Sequence, residues 1–187
     1  MRKIEGTVQE KMEFEGIPFE VVRRRVKYSR VEFRHSCLRV IVPRGIDPLK
    51  VLQENRLSIL KKFHKYMGQL ESARNIVLRE MDEEEFLSLV SRYASQYTAQ
   101  LKVKLKQIKF RKMKRRWGSC RTDGIITLNR YLQLVPENLI IYIIFHELAH
   151  LRIRGHDRRF KHIIAAEFPN YRQLDKELNL YGLRLLS

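Results

Sequence analysis

A chain of 187 residues with 44% hydrophobic and 10% aromatic side chains is composed like a folded globular protein, which excludes a disordered polymer. Its longest apolar run, Leu139 to Phe145, falls far short of the ~18 residues of a membrane span, and the charged stretch Met1 to Gly16 has no apolar segment of a secretory signal, so a cytoplasmic protein without a membrane partner is expected. Lys and Arg number 38 against 21 Asp and Glu, a net charge of +17 that would attract nucleic acid, anionic lipid or an acidic substrate.

Period-two alternation predicts strands within residues 18 to 43: Phe19 to Val22 with Val26, then Arg30 to Arg34 and Leu38 to Val42. His35, Ser36 and Cys37 form the expected turn between the last two. Asp47-Pro48 opens a helix, with Leu49, Leu52, Leu57, Leu60 and Phe63 as its apolar face. The polar stretch Gly68 to Asn75 reads as a connector. It sets the expected boundary between a β-rich N-terminal subdomain, 1–75, and a catalytic domain, 76–187.

Met81 to Glu85 starts a long helix with acids at its positive end, continued by Phe86, Leu89, Val90, Tyr93, Tyr97 and Leu101 at helical spacing. Two strands are predicted at Gln107 to Met113 and Gly124 to Asn129, with Trp117 to Cys120 and the turn Thr122-Asp123-Gly124 between them. Ten basic residues and no acid occupy Leu101 to Thr122. That run is either a solvated face or an anion-binding groove for nucleic acid or nucleotide. Pro136-Glu137 opens a helix through His150 that stops near Gly155. Another covers Arg158 to Phe168, Pro169 breaks it, and a last one spans about Tyr171 to Leu180. The fold class is α+β, with helices on a small β-sheet. Two cysteines, Cys37 and Cys120, make no disulfide framework.

The segment His146-Glu147-Leu148-Ala149-His150 carries the chemistry. Residues four apart share a helix face, so His146 and His150 can present two imidazoles to one ion. Glu147, beside the first histidine, suits a general base, and zinc would acidify water and polarise a scissile carbonyl. The apolar flanks argue for a metal, because a carboxylate and two histidines buried without partners would be costly. Catalytic zinc takes three protein ligands. His156, after Gly155, is the best third, with Gly155 expected to turn the chain in the left-handed conformation. Glu167 is the competing ligand. Asp157 is either an acceptor that orients a ligand or the cap of the next helix. Trp117 either lines the cleft or anchors the core, Cys120 reads as a small buried hydrophobe, His162 as a surface residue, and Asn129 as a turn residue.

Arg116 to Cys120, Gly124 to Asn129, His146 to Leu151, Gly155-His156 to Phe160 and Phe168 to Tyr171 together resemble the YgjP-like metallopeptidase family, relatives of the SprT and WLM zincins. The resemblance extends to Arg23 to Arg30 and Val42-Pro43, and departs at Asp157 and Lys161. It implies a zincin-like catalytic domain with one zinc per chain on His146, His150 and His156, and Glu147 as catalyst. A peptide or protein is the expected substrate. The rival readings are a metal-dependent nucleotide phosphohydrolase, motivated by the Lys102 to Arg121 cluster, and a SprT-like protease recruited to nucleic acid. The oligomeric state is left open.

Overall fold

The alternating residues near the N-terminus pair as a four-stranded sheet. Its strands are β1 (Met12–Phe14), β2 (Ile17–Arg23), β3 (Arg30–Arg34) and β4 (Cys37–Val42), in the order β1-β2-β4-β3. β2 and β4 run parallel; the other pairs are antiparallel. The computed structural model describes residues 12–34 and 36–186. His35 of the predicted turn, and most of the Met1 to Gly16 stretch, lie outside them. The chain divides into two units, Met1–Glu71 and Ser72–Ser187.

In the first unit, α1 (Pro48–Glu54) begins as predicted, with the Asp47 carboxylate accepting from Leu49 N at 2.9 Å. The single predicted helix is in fact two. Asn55 ends α1, its side-chain amide donating to Val51 O at 2.9 Å, and α2 (Arg56–Arg74) restarts with a new phase. The predicted stripe therefore splits. Leu52, Ile59 and Phe63 are buried with Phe19, Leu38 and Val40, while Leu49 and Leu57 are exposed. Gly68 to Arg74 is helix rather than connector, because Met67 and Leu70 keep helical spacing with Phe63 and outweigh the roughly 1 kcal/mol penalty of one glycine.

The second unit contains every residue of the candidate site. α3 (Glu83–Leu101) is capped by Asp82, which accepts from Glu84 N and Glu85 N. A three-stranded sheet follows, with β5 (Gln107–Arg111) parallel to β7 (Ile125–Asn129), and β6 (Gly118–Cys120) antiparallel on the other side of β7. β6 falls in a stretch read from sequence as a connection. Three residues with a glycine give too little alternation to register as a strand. α4 (Glu137–Ala149) is buried nearly throughout, touching β6, β7, α3, α5 (Arg158–Glu167) and α6 (Tyr171–Leu185). Tyr97, Phe145 and Phe168 meet edge to face within this core. The architecture is α+β, as expected. Among the described residues no helix is long and apolar enough to cross a membrane.

Candidate metal centre

α4 delivers His146 and Glu147 from its last turn and ends at Ala149, with His150 at its C-cap. The chain leaves the helix through tight backbone bonds, Leu151 N to Leu148 O at 3.0 Å and Ile153 N to Ala149 O at 2.9 Å. The expectation that Gly155 turns the chain in the left-handed region is not met. Its φ is not positive, and the turn has already been made by residues 150–153.

The turn brings His156 back to the two helical histidines. One ring nitrogen from each of His146, His150 and His156 lies within 4.8 Å of the others. His146 Nε2 and His156 Nε2 are 3.1 Å apart. His150 Nδ1 lies 3.0 Å from the Ile153 carbonyl oxygen, so the proton sits on Nδ1 and the lone pair on Nε2. Phe160, the first buried residue of α5, packs against all three rings. Its centroid is 4.4 Å from His150 in a stacked arrangement, 4.8 Å from His156 and 5.0 Å from His146. Asp157 caps α5, accepting from Phe160 N at 3.0 Å, which is the duller of its two predicted roles.

Electrostatics at this point disfavour protons. Burial pushes the His146 imidazole down to about 3, with the neighbouring His150 and His156 adding to the effect. Burial also lowers His150, helped by His156 and opposed by the Ile153 carbonyl. His146 Nδ1 is itself buried without a hydrogen-bond partner among the described residues. Two imidazoles kept low in proton affinity, with a ring nitrogen of His156 converging on them, offer the donor chemistry of a zinc-type cation, so the residues fit such an ion.

Glu147 is buried beside them, and its carboxyl is pushed up to about 7 by burial, with Arg116 pulling the other way. Its side chain lies against Gly118 of β6, where an added Cβ would come within 2.5 Å of Glu147 Cγ. A cleft of about 420 Å³ opens over the group, lined by Gly118, Ser119, Cys120, Arg116, Arg121, Thr122, Leu151 and Arg154 together with His146, Glu147, His150 and His156.

Glu167, the competing ligand, is directed elsewhere: its carboxylate accepts from Gln100 Nε2 at 2.6 Å. His162 is exposed, as expected. Trp117 is the core anchor of its two readings, with Nε1 donating to Leu178 O at 3.3 Å. Cys120 is only half buried. Asn129 does more than end a strand. Fully buried, it donates to Met113 O and Arg116 O at 2.8 and 2.9 Å and accepts from Met113 N and Tyr131 N at 3.2 Å, tying down the basic loop ahead of β6.

Sequence reasoning missed the Gly118 contact, the Ile153 carbonyl, the Phe160 platform and Arg154. Only the first had a signal, since a glycine within a strand marks a close approach.

Two solved structures are similar in part, the metallopeptidase zymogens abylysin of Pyrococcus abyssi and jannalysin of Methanocaldococcus jannaschii. Both are 24% identical; each match covers 49% of this chain, and 90% and 92% of those chains respectively, with TM-scores of 0.43 and 0.42. No curated protein matches the sequence. The YgjP-like metallopeptidase domain model matches residues 48–181, which takes in α1, α2 and the whole histidine cluster, and the chain belongs to that family.

Proposed function

We propose that the protein is a zinc-dependent metallopeptidase in which His146, His150 and His156 hold the ion and Glu147 is the general base. The observation that carries this reading is the convergence of three ring nitrogens within 4.8 Å, with one tautomer set by Ile153. When bound, zinc supplies Lewis-acid polarisation of the scissile carbonyl and acidifies water at the site. Glu147 takes a proton from the attacking water and passes it to the leaving amine. Burial makes its carboxylate a stronger base than an exposed one. β6 is an edge strand lining the cleft, so its free backbone edge is available to an extended peptide through main-chain hydrogen bonds.

The test is a paired assay on metal-loaded protein, with a mixture of unstructured peptides and a panel of nucleoside triphosphates. Peptide cleavage that disappears in Glu147→Gln is expected. Phosphate or pyrophosphate release without peptide cleavage would replace this reading by the phosphohydrolase one.

A further inference from the structure

The cleft has an imbalance of charge that the proposed chemistry does not use. Arg116, Arg121 and Arg154 line it, and Glu147 is its one acidic lining residue. Arg121 is committed to Asp123 at 2.8 Å. Arg116 and Arg154 enter no salt bridge among the described residues. Both hang from fixed backbone. The carbonyl of Arg116 is held by the buried Asn129 amide at 2.9 Å, and Arg154 follows directly on Ile153, whose carbonyl is taken by His150. Neither guanidinium is held in a salt bridge, and the one carboxyl whose charge Arg116 feels in the cleft is the buried Glu147; on anchored segments bordering the same cleft, the two arginines present unneutralised positive charge to an anionic group.

The positive charge continues past the histidines. A second hollow of about 460 Å³ shares Thr122 and Leu151 with the cleft and presents Lys102, Lys104 and Arg152 against a single acid, Asp123. The two hollows therefore adjoin, and basic side chains line both, which suits a ligand carrying more than one anionic group.

We propose that Arg116 and Arg154 make this cleft select acidic peptide segments, with Asp or Glu side chains flanking the bond presented to Glu147; this rests on the peptidase reading above. A peptide is favoured over a nucleic-acid strand because neither hollow is lined by Phe, Tyr or Trp. Bases would find no Phe, Tyr or Trp face to stack on there, the three imidazoles being committed to the ion in the reading above, and Trp117 is turned toward α6. The open edge of β6 offers what a peptide backbone needs.

The experiment measures binding and turnover separately. Three dodecapeptides identical but for Glu, Gln or Lys at the central flanking positions are titrated calorimetrically into zinc-loaded Glu147→Gln protein, then assayed with the wild type. The Glu peptide should bind at least tenfold tighter than the Gln peptide, and more weakly as salt is raised. That preference should fall to near unity in a variant that adds Arg116→Gln and Arg154→Gln, with zinc content unchanged as the check on folding. Equal affinity for all three peptides, or a preference that survives both substitutions, overturns the inference. So does a single-stranded oligonucleotide or ATP that binds more tightly than the Glu peptide and displaces it. Cleavage of all three by the wild type at equal kcat/KM sinks the acid preference and leaves the peptidase reading standing. Selective binding with no cleavage of any peptide sinks the peptidase reading and leaves the acid recognition standing.

Discussion

Gly118 and Glu147 share a space that admits only one of them beyond the backbone: a Cβ on Gly118 would lie 2.5 Å from both Cγ and Oε1 of Glu147 and 2.6 Å from Cδ. β6 thus acts as a wall that sets where the carboxylate stands. Gly118→Ala must move Glu147, since the side chain is buried and the neighbouring strand is fixed to β7. A displacement on the order of 1 Å in a positioned catalytic group lowers turnover about 100-fold. The variant should keep stoichiometric zinc and lose peptidase activity on that scale. Wild-type kcat in zinc-loaded Gly118→Ala would refute the positioning role.

Removal of the carboxylate's basicity is the sharper counterpart. Glu147→Gln preserves the shape, and lies next to the histidines without belonging to their cluster. Zinc content should be unchanged while kcat falls ~100-fold or more. Metal lost together with activity would instead make Glu147 a ligand.

Phe160 supports all three imidazoles at once, so its substitution reads out through the metal. Phe160→Leu retains an apolar side chain in the buried site but gives up the stacked face against His150. Zinc affinity, measured by competition with a chromophoric chelator, should weaken by roughly 10-fold, as for other groups that orient ligands from behind. Unchanged affinity would show that the rings hold their places without it.

Asn129 joins four backbone groups, three of them in the loop ahead of β6 or its flank. Asn129→Ala leaves these groups to find water and should destabilise the protein by roughly 3 kcal/mol in urea unfolding. The loop itself should open, so trypsin should cut at Lys114, Arg115 and Arg116 sooner than in the wild type. Unchanged cleavage kinetics at those sites would contradict the clamp.

Cys120 lies in the cleft, and burial pushes its thiol up to about 11, with Glu147 and Asp123 adding to the rise and Arg154 opposing it. Burial and negative neighbours disfavour the thiolate, so the reactive form is lost below that value rather than above it. In metal-free protein carrying Cys37→Ser, the alkylation rate at pH 8 should be low and should climb about tenfold per pH unit toward pH 11, as expected for a thiol that is about one part in a thousand ionised at pH 8. A rate already level at pH 8 would place the thiol in a different environment.

The helices of the second unit were legible because their apolar spacing runs for many turns, and α4 stood out through the polar pair of histidines set in an apolar run. Three elements were not. β6 is too short to show a period, α1 and α2 are separated by one asparagine whose capping bond no spacing announces, and the glycine at 68 suggested a connector where helix continues. At the site, residue types and spacing were enough to nominate His146, Glu147, His150 and His156. The groups that orient them were hidden, because a backbone carbonyl at Ile153 and a ring from the next helix acquire their roles only when the turn at 150–153 closes. Gly155 illustrates the same limit: the turn was foreseen, but its atoms came from residues nearer the helix.

The third histidine also separates the two candidate ligands. His156→Ala should weaken zinc by orders of magnitude, and His150→Ala should abolish tight binding, since two ligands rarely hold zinc against buffer. Glu167→Ala should leave zinc nearly intact, because that carboxylate is engaged by Gln100. Metal analysis of the three purified variants decides it. A loss in Glu167→Ala as large as in His156→Ala would reinstate Glu167.

The most direct measurement is anomalous diffraction at the zinc edge from crystals of the zinc-loaded protein. One peak per chain is expected, about 2.0–2.1 Å from a ring nitrogen of each of His146, His150 and His156. A peak centred on Cys120 or Glu167, or no peak among the three imidazoles, would contradict the account.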